Sequence, residues 1–111
     1  MLNSHALRKA AHGVSDRLLP IETSLDQTLS QTANLLAYLP QARLDANLPM
    51  ATGHGAIMRV MASLSSIIVA RSELLAAHEE FVVARDELRI PITDTGSLGG
   101  CPRYASLAQV A

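Results

Sequence analysis

The stretch ARSELLAAHEEFVVAR, residues 70–85, decides the fold, because basic side chains recur in it every seven residues within an apolar sequence. The residues three and four positions away from Arg71 and His78 are Leu, Ile, Val or Phe, and Arg85 continues the same line. Residues at these spacings share one face of an α-helix. The three basic groups are therefore predicted to face a partner helix.

The apolar pattern extends in both directions and predicts one helix over about residues 53–90. Thr52 suits the N-cap position, and Ile90, which directly precedes Pro91, marks the end. At 1.5 Å per residue such a helix is about 55 Å long. A compact globule of 111 residues cannot bury the apolar surface of a helix of that length.

A second apolar series with alternating spacings of three and four predicts another long helix over about residues 20–47. The series consists of Leu18, Ile21, Leu25, Thr28, Thr32, Leu35 and Leu39. An N-terminal helix over about residues 4–19 either runs into it through Pro20 with a kink or stops near Leu19 and restarts. The chain after Pro40 either continues this helix or forms a short separate one.

A turn near residues 48–52 would join the long helices into an antiparallel hairpin whose facing residue numbers sum to roughly 100. Facing pairs are then Arg71 with Asp26, His78 with Glu22, and Arg85 with Asp16. A buried unpaired charge costs several kcal/mol, so a basic group at a helix interface needs an acceptor. We predict that this line fixes helix register. A site for a carboxylate or phosphate ligand between the helices, or exposed edge charges, are the alternatives.

The apolar surface is wider than one hairpin can cover. Two further lines of small or apolar residues run along the predicted helix over residues 53–90: Ala62, Val69, Ala76 and Val83, and Ala70, Ala77 and Ala84. Each fully buried Leu, Ile, Val or Phe contributes about 1.5–3 kcal/mol, much of which a lone helix pair leaves unrealised. We therefore expect an all-α chain that self-associates, most simply as a dimeric four-helix bundle.

Composition limits the functional classes. The chain is 49% hydrophobic but only 3% aromatic, and its net charge of −1 provides no basic excess for nucleic acid. The N-terminus lacks the apolar run of a secretory signal, and we expect no transmembrane segment, because no window approaches about 20 apolar residues. The expected location is therefore the cytoplasm.

Catalytic and metal-binding motifs are incomplete. The sequence AHEEF resembles the zinc motif HExxH, but Val82 stands where the second histidine would be. Cys101 is the single cysteine, which excludes an internal disulfide and a CxxC motif. No nucleophile, base and orienting acid can be assembled from the pattern. We expect no enzymatic activity, no cofactor and no metal.

Residues 91–111 have a different composition from the hairpin domain, residues 1–90. They are rich in Gly, Pro, Ser and Thr and show no helical period before Leu107 and Val110. This tail either packs along the hairpin or binds a partner. A solvent-facing acidic stripe that includes Glu73, Glu80 and Glu87 is a second candidate surface for docking on another protein.

The pattern LPQARLDANL, a glycine near residues 53–55, and ARSELLAAHEEFVVARDELRI together resemble a group of small helical proteins of alphaproteobacteria associated with phages or prophages. The similarity covers about residues 18–92. It implies a helical structural or accessory protein connected with a phage particle or a lysis region. The interior of a phage particle is therefore the alternative location. The group carries no established activity, cofactor or catalytic residue to transfer.

Overall fold

The computed structural model describes residues 3–90, and all regular structure in this part of the chain is α-helical. Helix α1 is Ser4–Asp45 and helix α2 is His54–Glu87. The two helices pack against each other as a hairpin, which confirms the predicted fold class. The predicted tail, residues 91–111, lies outside the described residues.

Helix α1 runs without interruption through Pro20 and Pro40, where the sequence left open one helix or separate ones. Asn3 caps it, since its Oδ1 accepts a hydrogen bond from the Ala6 N–H at 3.1 Å. Pro20 and Pro40 lie inside the helix and are both exposed. Each proline removes one backbone donor, and an exposed position leaves the released carbonyl close to water. Of the alternatives at these prolines, the uninterrupted helix is the correct one.

The two helices end in the same type of C-cap. Asn47 and Arg89 adopt positive φ angles of 53° and 57°. Beyond them, the Leu48 N–H donates to the Arg43 carbonyl and the Ile90 N–H to the Arg85 carbonyl, both at 3.1 Å. This is the Schellman motif, in which a left-handed residue lets the chain close over the last turn. Proline follows in the sequence in both cases and prevents further helix.

Gly53, and not the predicted Thr52, takes the N-cap position of α2. Its carbonyl accepts the Ile57 N–H at 3.0 Å, and its φ of 77° is one that glycine adopts without strain. Thr52 instead donates its N–H to the Pro49 carbonyl at 3.0 Å, within the turn. The connection between the helices is therefore ordered by its own hydrogen bonds.

The hairpin comprises two compact units. The terminal unit contains the described residues up to Thr23 and those from Ser72 onward, and the turn unit is Ser24–Arg71. In the terminal unit five side chains are buried: Ser15, Leu18, His78, Val82 and Arg85. In the turn unit, whose residues are all described, none is buried. A core is thus present in the terminal unit alone.

Candidate functional site

The terminal unit contains a histidine–carboxylate pair at its centre. The Nδ1 atom of His78 lies 2.6 Å from Oε1 of Glu22, and the His78 side chain is only 1% exposed. A carboxylate oxygen accepts hydrogen bonds, so Nδ1 is the nitrogen that donates here. Glu22 remains partly accessible to water. The structure therefore brings together the two residues that the register argument paired across the hairpin.

The turn unit contains a second pair from the same argument. Nε of Arg71 donates to Oδ1 of Asp26 at 2.7 Å. This pair is much more open to solvent, with the arginine side chain 43% and the aspartate side chain 58% exposed. Exposed ion pairs contribute little to stability because water screens them. We therefore expect this ion pair to contribute to the alignment of the two helices more than to the stability of the fold.

Arg85 and Asp16 do not follow the predicted pairing. Arg85 is buried in the terminal unit, and its Nε and Nη2 atoms donate to Oδ1 of Asp86 at 3.3 and 3.2 Å. Asp16 is exposed, whereas Ser15 beside it is fully buried. Successive helical residues are rotated by about 100°, so Ser15 and Asp16 cannot both face inward. The expectation for Asp16 was one residue out of phase.

Ser15 is the residue that the sequence argument missed. Its Oγ is buried and makes no hydrogen bond to any described residue. The residue numbers of Ser15 and Arg85 sum to 100, as do those of Glu22 and His78. The register rule could therefore have indicated that Ser15 faces Arg85. A lone serine in a helix carries too weak a signal by itself, because serine is also common on exposed helix faces.

A shallow apolar pocket lies in the terminal unit, away from the carboxylate of Glu22. It encloses about 160 Å³. Its lining consists of Leu7, Ala10, Ala11, Val14, Phe81, Ala84, Arg85, Leu88 and Ile90. Arg85 is the single ionisable side chain in this lining, and it already contacts Asp86. The pocket is therefore an apolar surface without a polar constellation that would orient a reacting group.

The chemistry available to these groups is limited. Within residues 3–90, no cluster of three or more His, Cys, Asp or Glu side chains could hold a metal ion. The Glu22 carboxylate already accepts a hydrogen bond from His78, and the Asp26 carboxylate accepts one from Arg71. An anionic ligand at either place would have to displace a carboxylate of the protein itself. Both contacts join a side chain of α1 to one of α2.

Helix α2 bears on the expectation that the chain has no transmembrane segment. It contains an 18-residue segment that is long and apolar enough, with at most two charged residues, to cross a membrane by length and composition. None of that segment is buried inside the structure. A single helix that meets this test is weak evidence for a membrane span, so the expectation of no transmembrane segment stays a prediction.

No protein-family model, curated protein or solved structure matches this chain.

Proposed function

We propose that the protein is a non-enzymatic structural or assembly component that acts through helix-mediated self-association. The observation that carries this proposal is the exposure of the turn unit, in which no residue is buried. Nine large hydrophobic side chains of this unit are exposed: Leu35, Tyr38, Leu44, Leu48, Met50, Met58, Met61, Ile68 and Val69. Soluble monomers rarely expose apolar surface of this density outside an interaction site.

The energy involved is large relative to the stability of a domain. A fully buried Val, Leu, Ile or Met contributes about 1.5–3 kcal/mol, so a side chain that remains half exposed leaves about 1 kcal/mol unrealised. Nine such side chains therefore leave about 9 kcal/mol unrealised, whereas a whole domain is stable by about 5–15 kcal/mol. The gross gain from covering this surface is therefore comparable in size to the net stability of a domain, and the entropic cost of association is subtracted from it.

A lipid bilayer is a less suitable cover than another protein. Burying α2 of the turn unit in lipid would also bring in the adjoining part of α1, which contains several amide side chains: Gln27, Gln31, Asn34 and Gln41. Amide groups transferred to hydrocarbon without partners cost several kcal/mol each. At a protein interface, the same groups can remain on a hydrated rim. This asymmetry between the helices favours self-association in water.

Binding of a small anion, the alternative function, has weaker support. Arg71, His78 and Arg85 would be its ligands, but each already contacts a carboxylate. The partners are Asp26, Glu22 and Asp86 in turn. A thermal-shift titration with inorganic phosphate and with acetate tests it. Stabilisation that saturates at millimolar concentration and disappears in Arg71→Gln would favour this alternative over a purely structural role.

Sedimentation equilibrium over about 1–100 μM of the full chain tests the proposed function. We expect a dimer or a small closed oligomer, with helicity that rises with protein concentration. A monodisperse monomer that is fully helical throughout this range would contradict self-association. The phage or prophage setting rests on the sequence resemblance alone and stays a prediction. Genes for capsid, tail or lysis proteins beside this one would support it.

A further inference from the structure

Helix α2 carries a second apolar face within the turn unit, in addition to the one that packs on α1. We call it the outer face and define it by six residues: Met58, Met61, Ala62, Ser65, Ile68 and Val69. Met58 and Val69 are each 60% exposed, and Met61 and Ile68 are about half exposed. The half-buried residues Ile57, Val60, Leu64 and Ile67 form the other face. The outer face follows helical spacings of three and four, so it is a continuous stripe.

The outer face has no ionisable side chain. Arg59 lies on a different side of α2, and residues 60–70 contain no charged residue at all. Helix α1 is equally uncharged over residues 27–42. A surface without charge offers no electrostatic complement to an acidic or basic partner, but it meets a copy of itself without like-charge repulsion. This property points to the same chain as the occupant.

We propose that the outer face binds the outer face of a second copy, with the two α2 helices antiparallel and crossing near Ser65. This inference rests on the proposed function and specifies which surface and orientation produce the assembly. It is an isologous contact, in which the same patch is used by both copies and the contact closes at two chains.

The order of large and small side chains favours the antiparallel orientation. About a crossing at Ser65, Ala62 of one copy faces Ile68 of the other, and Met61 faces Val69. Large residues then oppose smaller ones, so the layers interdigitate. A parallel pair in register would place Ala62 against Ala62 and Met61 against Met61, with a gap at the first and crowding at the second. Serine at the crossing allows the two backbones to approach closely.

A pair of neighbouring arginine substitutions tests the surface. Val69→Arg introduces a charge on the outer face, and the control Ala70→Arg introduces the same charge one residue away, at an exposed position on another side of α2. We expect Val69→Arg to weaken dimerisation at least about 100-fold and Ala70→Arg to leave it within about threefold, because a buried unpaired charge is costly and an exposed one is not. Met58→Arg is the second outer-face variant if Val69→Arg loses helicity.

Disulfide cross-linking in a Cys101→Ser background tests the orientation. Met61 and Val69 are eight residues apart, about 12 Å along the helix, whereas a disulfide needs Cα atoms within about 7 Å. An antiparallel crossing predicts that Ser65→Cys links to itself and that Met61→Cys links to Val69→Cys in a mixture. Met61→Cys alone should not cross-link. Efficient self-linking of Met61→Cys would overturn the antiparallel arrangement.

The outcomes separate this inference from the proposed function. A wild-type dimer that Val69→Arg and Met58→Arg do not weaken would overturn the outer face as the interface, while self-association would stand. A wild-type monomer would overturn both. A chain that is monomeric in buffer but co-sediments with phosphatidylcholine vesicles, and loses that binding in Val69→Arg, would make lipid the occupant and also overturn both.

Discussion

His78 and Glu22 are 56 residues apart in the sequence, yet Nδ1 of His78 and Oε1 of Glu22 lie 2.6 Å apart. The histidine is buried, and the carboxylate reaches it from the opposite helix. A polar contact of this kind is specific to one register, since a shift of either helix by one residue rotates its partner away by about 100°. The contact is therefore compatible with one alignment of α1 and α2 in the terminal unit, and we predict that it helps to fix that alignment.

Breaking this pair on one side should destabilise the protein. Glu22→Leu leaves the buried Nδ1–H of His78 without this acceptor, and His78→Leu leaves a partly buried carboxylate without this donor. We expect each change to lower the free energy of unfolding by about 2 kcal/mol. Urea denaturation at one fixed protein concentration measures the change, because stability of an oligomer depends on concentration.

The double variant Glu22→Leu/His78→Leu distinguishes a specific contact from two independent positions. Removing both polar groups leaves neither unpartnered, so we expect the double variant to lie within about 1 kcal/mol of the wild type. If its loss equals the sum of the two single losses, His78 and Glu22 are not energetically coupled. Helix register would then depend on apolar packing.

The exposed pair of Arg71 and Asp26 should behave differently. We expect Asp26→Asn to change the free energy of unfolding by less than about 1 kcal/mol, and raising the salt concentration to about 1 M should remove most of that difference. Denaturation of both proteins at low and high salt provides the measurement. A salt-independent loss of more than about 2 kcal/mol would show that this pair, too, is shielded from water, for example within an assembly.

The prolines inside α1 should limit its stability. We expect Pro20→Ala and Pro40→Ala each to raise the free energy of unfolding, by up to about 3 kcal/mol, because alanine restores a backbone donor and removes the ring from the preceding turn. Pro49→Ala is the matched control, since Pro49 lies in the turn between the helices. Thermal melts by circular dichroism compare the three. An unchanged melt for both helix variants would contradict this account.

The C-cap of α2 should tolerate glycine better than its natural residue. Arg89 has a φ of 57°, a conformation that costs a residue with a side chain about 1–2 kcal/mol and costs glycine little. We expect Arg89→Gly to stabilise the protein by about 0.5–1 kcal/mol. Arg89→Ala keeps the strained backbone and should have little effect. A gain in Arg89→Ala equal to that in Arg89→Gly would locate the effect in the arginine side chain.

The buried hydroxyl of Ser15 should cost stability. Its Oγ has no hydrogen-bond partner among residues 3–90, so Ser15→Ala removes a desolvated polar group and leaves almost no cavity. We expect a gain of about 1 kcal/mol in urea denaturation. Ser63→Ala is the control, because the Ser63 hydroxyl is exposed and donates to the Arg59 carbonyl. A loss of stability in Ser15→Ala would mean that the hydroxyl has a partner in the assembled protein.

Apolar spacing and end signals were sufficient to predict the helices. Alternating intervals of three and four residues define which face packs, and Thr52, Gly53 and the Ile90–Pro91 step place the ends of α2 within a few residues of His54 and Glu87. The sequence left open whether the chain before the turn forms one helix or two, and the structure has one. Local preference disfavours Pro20 by about 3 kcal/mol, but packing of the whole inward face of α1 outweighs it.

The candidate site was partly predictable from the spacing of residues along the two helices. Helical period and hairpin symmetry together determined that Glu22 faces His78 and that Asp26 faces Arg71, because an antiparallel pair with a short turn permits few registers. The partner of Arg85 was decided by the fold. There, the phase of α1 turns Ser15 inward and Asp16 outward, a difference of one residue that apolar spacing does not resolve.

The sequence by itself thus determined helix content, the hairpin and its approximate register, since these follow from periodicity and from the cost of burying unpaired charge. Only the tertiary structure decided how much of that apolar surface one hairpin covers. It buries Leu18 and Val82 in the terminal unit and no side chain in the turn unit. Two helices touch along one line each, so every further apolar stripe needs a further helix, and periodicity alone does not show whether that helix is present.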